Sequence, residues 1–168
     1  MIGTAYTDKP YSALMLDELE DYQEVIGSLS EYIKRGLSVG AALHNRGLAY
    51  WEIGEPDQAL RDFDEAADQL PGSHMPLQLK GMLLQKLGRP EEALDAFNGA
   101  ITISPDQAAI RRARAWLLRE LGRPKEALTD LEYAIALEPR FDRIEEDREA
   151  TLAALAKMSP KPWWMFWR

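Results

Sequence analysis

The sequence contains no cysteine and only two histidines among its 168 residues. The absence of cysteine excludes disulfide bridges, thiolate zinc sites and a cysteine nucleophile. No long apolar run free of charged residues is present, so the sequence does not predict a transmembrane helix. The alternation of apolar and polar residues that is typical of half-buried strands is missing as well. These absences favour a helical protein without covalent cross-links.

The composition is that of a folded, acidic protein. Hydrophobic residues make up 46% of the chain, and the formal net charge is −8. The apolar fraction argues against disorder. A net acidic chain is a poor general binder of nucleic acid, because phosphate contacts need clustered Lys and Arg.

The first residues give no targeting signal. The segment Met1–Lys9 lacks a basic region followed by an apolar region, which a secretory signal would contain. We expect a cytoplasmic protein, and the periplasm stays open as the alternative because a protein without cysteine suits both compartments.

The chain repeats itself with a period of 34 residues. A Leu-Gly-Arg-Pro motif at Leu87 and again at Leu121 is preceded by a related motif, Ile-Gly-Glu-Pro, at Ile53. Three kinds of landmark recur at this one spacing: Gly54, Gly88 and Gly122; Ala66, Ala100 and Ala134; and Pro71, Pro105 and Pro139. A fixed period of this length predicts an array of similar structural units.

Each unit reads as a hairpin of two short helices, here called helix A and helix B. Gly54 and its equivalents follow an apolar periodic stretch and suit the left-handed conformation that ends a helix. Two residues later a proline suits the first turn of the next helix. Apolar residues then recur at helical spacing until a second proline stops the run. The sequence therefore predicts an all-α protein.

These residues resemble the tetratricopeptide repeat, a 34-residue helix-turn-helix unit. The third unit departs most from the family pattern, with Ala115 in place of the glycine and Leu131 in place of the aromatic residue. The resemblance implies an α-solenoid, a right-handed superhelix of antiparallel helical hairpins that acts as an interaction scaffold. The pattern is carried by Gly47, Tyr50, Ala59, Phe63, Ala66 and Pro71, then by Gly81, Leu84, Ala93, Phe97, Ala100 and Pro105, and then by Ala127, Ala134 and Pro139.

The repeats divide the chain into an array with a cap at each end. We expect the three repeats at 40–73, 74–107 and 108–139, within residues 40–139. Residues 1–39 form a helical cap, which reads as a degenerate repeat with Ser12 to Leu19 as a shortened helix A. Residues 140–158 form a capping helix that closes the array, and 159–168 are a tail rich in proline and tryptophan.

The resemblance implies that the A helices line a concave groove that binds a peptide or helix of a partner. Two of the groove residues, Trp51 and Trp116, are large aromatics outside the family's packing positions, and each suits either an exposed anchor or an inter-repeat filler. We expect Trp51, Met82 and Trp116 to be apolar anchors and Arg112 and Arg119 to orient the partner. The predicted groove residues are His44, Leu48, Trp51, Met75, Gln78, Met82, Arg112, Trp116 and Arg119.

Charge is distributed unevenly between the two kinds of helix. The helix A segments carry a net charge of +4, whereas the helix B segments carry −9. We therefore expect an acidic outer face and a mildly basic groove. Arg112 and Arg119, seven residues apart on one helix face, suit a partner with acidic or carboxylate groups.

The best-known site of this family is a carboxylate clamp for the acidic C-termini of heat-shock chaperones. The clamp requires Lys, Asn and Arg at defined positions of three repeats. The corresponding residues here are His44, Leu48, Leu79, Ala109 and Ala113. The sequence therefore predicts that this clamp is absent from the three repeats.

The tail holds three of the five tryptophans. Its expected contact residues are Trp163, Trp164, Phe166 and Trp167. Three roles remain open for it: packing on its own superhelix, docking on a partner or a second copy, or contact with a membrane interface. The last two define an alternative function, a peripheral membrane or self-associating component that acts through the tail.

No pattern of catalytic residues is present. His44 and His74 have no Ser and acid at a recognisable triad spacing, and neither a glycine-rich phosphate loop nor a zinc-binding histidine pair occurs. The many carboxylates fall at helical spacing on solvated faces. We therefore expect a non-enzymatic protein without a metal site or a cofactor.

Overall fold

The computed structural model describes residues 19–139 and 143–158, and every regular element in these ranges is an α-helix. This confirms the all-α fold. The predicted short helix before Leu19 and the tail lie outside the described residues. The eight helices of the described ranges are α1 (Leu19–Lys34), α2 (Val39–Glu52), α3 (Pro56–Gln69), α4 (Met75–Lys86), α5 (Pro90–Ile103), α6 (Ala108–Glu120), α7 (Pro124–Leu137) and α8 (Ile144–Met158).

The repeated glycines end the A helices as the sequence predicts. Gly54 has a φ of 78°, and its equivalents Gly88 and Gly122 have values of 69° and 71°. After α2, the Glu55 amide donates to the Tyr50 carbonyl at 2.8 Å, and the Gly54 amide donates to the Trp51 carbonyl at 3.1 Å. This pair of bonds is a Schellman motif, which satisfies carbonyls that the helix end leaves open.

Helices that follow one another in the chain pack against one another. The A helices are α2, α4 and α6, and the B helices are α3, α5 and α7. Beyond successive helices, the substantial contacts in the described ranges are those of α4 with α6 and of α6 with α8. The A helices are therefore more closely spaced than the B helices, and the array curves toward them. The face of the A helices that is turned away from the B helices is the concave side.

Small residues allow the two helices of a hairpin to approach closely. A Cβ atom on Gly47 would lie 2.7 Å from the Phe63 ring, and one on Gly81 would lie 2.8 Å from the Phe97 ring. In the third hairpin Ala115 faces the smaller Leu131, and both are buried. The loss of the glycine there is therefore matched by the loss of the aromatic ring.

Helix α8 takes the place of a fourth A helix. Its Ile144 and Thr151 are buried, as are Ile110 and Leu117, which lie 34 residues earlier on α6. Leu152, in contrast, is 39% exposed, whereas its equivalent Leu118 is buried under α7. Within the described ranges, α8 thus continues the inner layer as an A helix.

None of the described helices combines the length and the apolar character that a bilayer span requires.

Candidate concave interaction surface

The predicted groove residues fall into columns that cross the A helices. Residues 34 positions apart occupy equivalent places on successive helices, so Leu48, Met82 and Trp116 form one column across α2, α4 and α6. Packed helices have axes about 10 Å apart. Side chains in one column are therefore neighbours along the concave face.

The exposed fraction of the side chains in this column is larger on α4 and α6 than on α2. Leu48 is 8% exposed, whereas Met82 and Trp116 are each 41% exposed. Met75 and Gln78, from the first turns of α4, are partly exposed. The part of the concave face that a partner can reach therefore lies on α4 and α6.

The expectation that α2 contributes His44 and Leu48 to an open groove needs correction. His44 is only 7% exposed, and its ring centroid lies 6.4 Å from that of Phe63. Burial lowers the pKa of His44, because the charged imidazolium loses its hydration. Both side chains are packed in the interior and offer little surface to a partner.

The two tryptophans on the A helices differ in their surroundings. Trp51 packs against the core with its ring edge-on to Phe63, at a centroid distance of 6.5 Å. Lys86 of the next A helix lies over the Trp51 ring at 5.9 Å. Trp116 is more exposed, and its ring has no aromatic or cation partner among the described residues. Trp51 is therefore held by packing, whereas Trp116 presents its ring to solvent.

Most of the positive charge of the A helices points away from the groove. Arg46 binds Asp62 of its own hairpin, and its guanidinium also donates to Ser30 of the preceding helix. Arg114 repeats this arrangement two units later with Asp130 and Asn98. In each case the arginine bridges the helix before its own to the helix after it.

Two further cations of the A helices, Lys80 and Arg111, are also engaged outside the groove. Lys80 pairs with Asp64 at 2.5 Å. Arg111 lies over the Tyr133 ring at 3.7 Å and is 3.4 Å from Asp130. The net charge of the A segments therefore does not measure the charge of the groove, and the expectation of a basic lining is corrected.

Arg112, one of the two predicted orienting charges, is already paired. Its Nε donates to Asp147 of α8 at 2.5 Å, and both side chains are partly buried. Asp147 is not among the residues predicted from the sequence to line the groove. A usable signal was nevertheless present, since Arg112 and Asp147 are 35 residues apart, the same offset that separates Trp51 from Lys86.

Arg119 has no such counter-charge. The 35-residue offset that joins Arg112 to Asp147 leads from Arg119 to Ala154, which carries no charge. No ion pair of Arg119 is found in the part of the chain that the structure describes. The same offset leads from Gln85 of α4 to Glu120 of α6.

Four residues of the concave face form what we call the concave strip: Met82, Gln85, Trp116 and Arg119.

The predicted tail contacts, Trp163, Trp164, Phe166 and Trp167, lie outside the described residues. Their roles in packing, self-association or membrane contact stay predictions. In the described ranges, no three potential His, Asp or Glu ligands are grouped so that they could hold a metal ion.

The array of hairpins and its open inner face define an α-solenoid, a class whose curved surfaces bind other proteins. The chain belongs to the tetratricopeptide repeat family. One sequence model of this family matches residues 40–73, and a second matches residues 79–161, which include α8. The fold is therefore that of an interaction scaffold, typically without enzymatic activity.

Solved structures agree on the fold. A crystal structure of the MamA protein has a TM-score of 0.73 at 18% identity, and the match covers 82% of this chain and 75% of that one. The first repeat domain of Spaghetti (RPAP3), bound to the HSP90 peptide SRMEEVD, has a TM-score of 0.65 at 20% identity and covers 70% and 93%. A tetratricopeptide repeat protein of Parabacteroides merdae has a TM-score of 0.67 at 18% identity and covers 82% and 61%. A search of curated proteins found no significant match.

Proposed function

We propose that this protein is an adaptor that binds a segment of another protein along the concave strip, with Met82 and Trp116 as the apolar contacts. The observation that supports this function is the equal, 41% exposure of two large apolar side chains at equivalent positions of α4 and α6. Exposed aromatic side chains contribute strongly to binding energy. Methionine adapts its shape to different partners.

The surroundings of the two tryptophans favour Trp116 as the main anchor. Trp51 is packed against Phe63 and covered by Lys86, so its removal would affect folding. Trp116 is 41% exposed, and its ring has no aromatic or cation partner among the described residues. A partner that covers the exposed part of this ring would bury apolar area.

We further propose that the partner is not the C-terminal peptide of a heat-shock chaperone. The three repeats lack the clamp residues, and two of the corresponding positions, His44 and Leu48, are buried. The peptide SRMEEVD, bound in the similar RPAP3 structure, is therefore a suitable negative probe. We expect no saturable binding of this peptide.

The function can be tested by selection from a random peptide library displayed on phage, with the full chain immobilised. We expect the wild-type chain to enrich a peptide family, and Trp116→Ala to abolish the enrichment while leaving the thermal unfolding midpoint almost unchanged. Trp51→Ala should lower the midpoint instead. This contrast follows from the packing of Trp51 and the exposure of Trp116.

Tyr32→Ala provides a matched control, because Tyr32 is a similarly exposed aromatic on α1 and is not part of the concave strip. This variant should keep the wild-type enrichment. Absence of any enriched peptide, or equal enrichment by the wild-type chain and Trp116→Ala, would contradict the proposed function.

A further inference from the structure

The charges around the concave strip restrict the chemistry of its partner. Arg112 is neutralised by Asp147 across the α6–α8 contact, at 2.5 Å. Lys86 lies over the Trp51 ring, at 5.9 Å from its centroid. This leaves Arg119 as the cation beside Trp116 that carries no ion pair in the described ranges.

The place of Arg119 explains why it has no counter-charge. Concave neighbours on successive A helices are 35 residues apart, as the pairs Trp51–Lys86 and Arg112–Asp147 show. The neighbour of Arg119 by this rule is Ala154, which is small, uncharged and partly buried. By this rule the residue beside Arg119 is short and uncharged, and Arg119 is itself partly exposed, so we expect that a carboxylate from outside can approach its guanidinium.

The three-residue separation of Trp116 and Arg119 on α6 restricts the spacing between the apolar and the acidic side chain of a partner. Residues three apart on a helix are neighbours on its surface, with Cβ atoms about 5–6 Å apart. An extended peptide spaces side chains on one face by about 6.6 Å, which is two residues at about 3.3 Å each. A large apolar residue and an acidic residue one or two positions away would therefore meet Trp116 and Arg119 together.

The open length of the strip limits the size of the segment. The strip lies on α4 and α6 and ends against α8, so it extends over two steps between neighbouring helix axes. With about 10 Å between axes, this span is about 20 Å. An extended segment of about six residues covers that distance.

We propose that the strip recognises a short extended segment in which a large apolar side chain lies within two residues of a carboxylate. The apolar side chain inserts between Met82 and Trp116, and the carboxylate accepts hydrogen bonds from the Arg119 guanidinium. Arg is suited to this role because its planar fork binds both carboxylate oxygens. This inference rests on the function proposed above and adds the charge and the spacing of the ligand.

The test is a charge reversal in the same random-library selection. Peptides enriched by the wild-type chain should share an aromatic or large aliphatic residue within two positions of Asp or Glu. Arg119→Glu should lose these peptides by about tenfold or more, the effect of a lost charged hydrogen bond. The same variant should enrich peptides with Lys or Arg at the former acidic position.

Arg61→Glu is the matched control, since Arg61 is an exposed arginine on α3. It changes the net charge of the chain by the same amount and should keep the acidic consensus. If Arg119→Glu does not fold by circular dichroism, Arg119→Gln replaces it and should lose the acidic preference without gaining a basic one.

The outcomes separate the two proposals. This inference is contradicted if the enriched consensus depends on Trp116 but has no acidic residue, or if the consensus is unchanged in Arg119→Glu. Neither outcome contradicts the adaptor function. No enriched peptide overturns both. Sedimentation analysis of the full chain adds a third outcome: a dimer that Trp116→Ala dissociates would assign the strip to a second copy and overturn the peptide partner.

Discussion

Arg46 binds both carboxylate oxygens of Asp62, with its Nε and a terminal nitrogen each at 2.7 Å. The pair joins α2 to α3 and recurs two units later, where Arg114 binds both oxygens of Asp130 at 2.7 and 2.6 Å. The middle unit has Lys80 and Ala96 at these positions. The first and third hairpins therefore contain an ion-paired lock that the second lacks.

We expect the largest loss of unfolding free energy when only one residue of this ion pair is replaced. The Asp62 side chain is 6% exposed, so Arg46→Met leaves a buried carboxylate without its partner. Such a loss costs about 3–5 kcal/mol of unfolding free energy. Replacing both residues, as Arg46→Met with Asp62→Leu, should recover most of that loss. Equilibrium unfolding in urea measures both.

The exposed pair Arg123–Glu126 is the control for this experiment. Its two side chains are 43% and 57% exposed, and solvent screens their attraction. Arg123→Met should leave the urea midpoint unchanged within error. An Arg46→Met midpoint equal to that of the Arg123 variant would contradict the structural role of the buried lock.

The close approach of the helices in the second hairpin gives another prediction. Gly81→Ala places a methyl group against the Phe97 ring, where a Cβ would lie at 2.8 Å. Overpacking of this kind costs about 1–3 kcal/mol. Adding Phe97→Leu should restore part of the stability, because it reproduces the Ala115–Leu131 combination of the third hairpin. The free energy of unfolding in urea tests the rescue.

Gly27 on α1 is the matched control, because a Cβ there would meet no atom within 4 Å. Gly27→Ala should stabilise the chain by about 0.5–1 kcal/mol, as expected for an open position within a helix. If Gly81→Ala were equally stabilising, the hairpin would not need a glycine at this position.

Burial of His44 makes the stability of the fold depend on pH. The pKa of His44 is lowered in the folded chain from its ordinary value of 6.5, by desolvation. The unfolded chain therefore binds a proton more readily than the folded one. Stability from the neutral imidazole is present above pH 6.5 and is lost as the pH falls below that value.

We expect the unfolding free energy to fall as the pH drops below 6.5, and His44→Met to remove much of this slope. Urea unfolding at several pH values measures it. His74, whose pKa is also lowered by burial, is less enclosed and bonds to Ser104 at 3.0 Å. His74→Gln should remove a smaller share, and a slope unchanged in His44→Met would contradict the assignment.

The fold was predictable because its signals are local and repeated. Gly54 needs a left-handed backbone and Pro56 fixes the first turn of α3, so each helix boundary is encoded within a few residues. The 34-residue period then adds independent copies of each signal. The close contact of Gly47 with Phe63 could be expected from the family pattern in the same way.

The candidate surface was predicted only in part. Met82, Trp116 and Arg119 stay in the proposed strip, whereas His44 and Leu48 are buried and Arg112 is paired with Asp147. Periodicity places a residue on a helix face but does not say how deeply its neighbours cover it. Net charge per segment likewise does not show that Arg46 and Arg114 point toward the B helices.

By itself, the sequence determined the helical hairpins, their period and the family, because backbone preferences and apolar spacing act over short distances along the chain. Only the tertiary structure decided which of the two tryptophans on the A helices is exposed, and which of Arg112 and Arg119 is ion-paired within the described residues. Those properties depend on residues 35 positions away, which packing brings alongside. Lys86 covers the Trp51 ring, whereas the Trp116 ring is exposed to solvent. This difference in exposure therefore results from the stacking of successive helices.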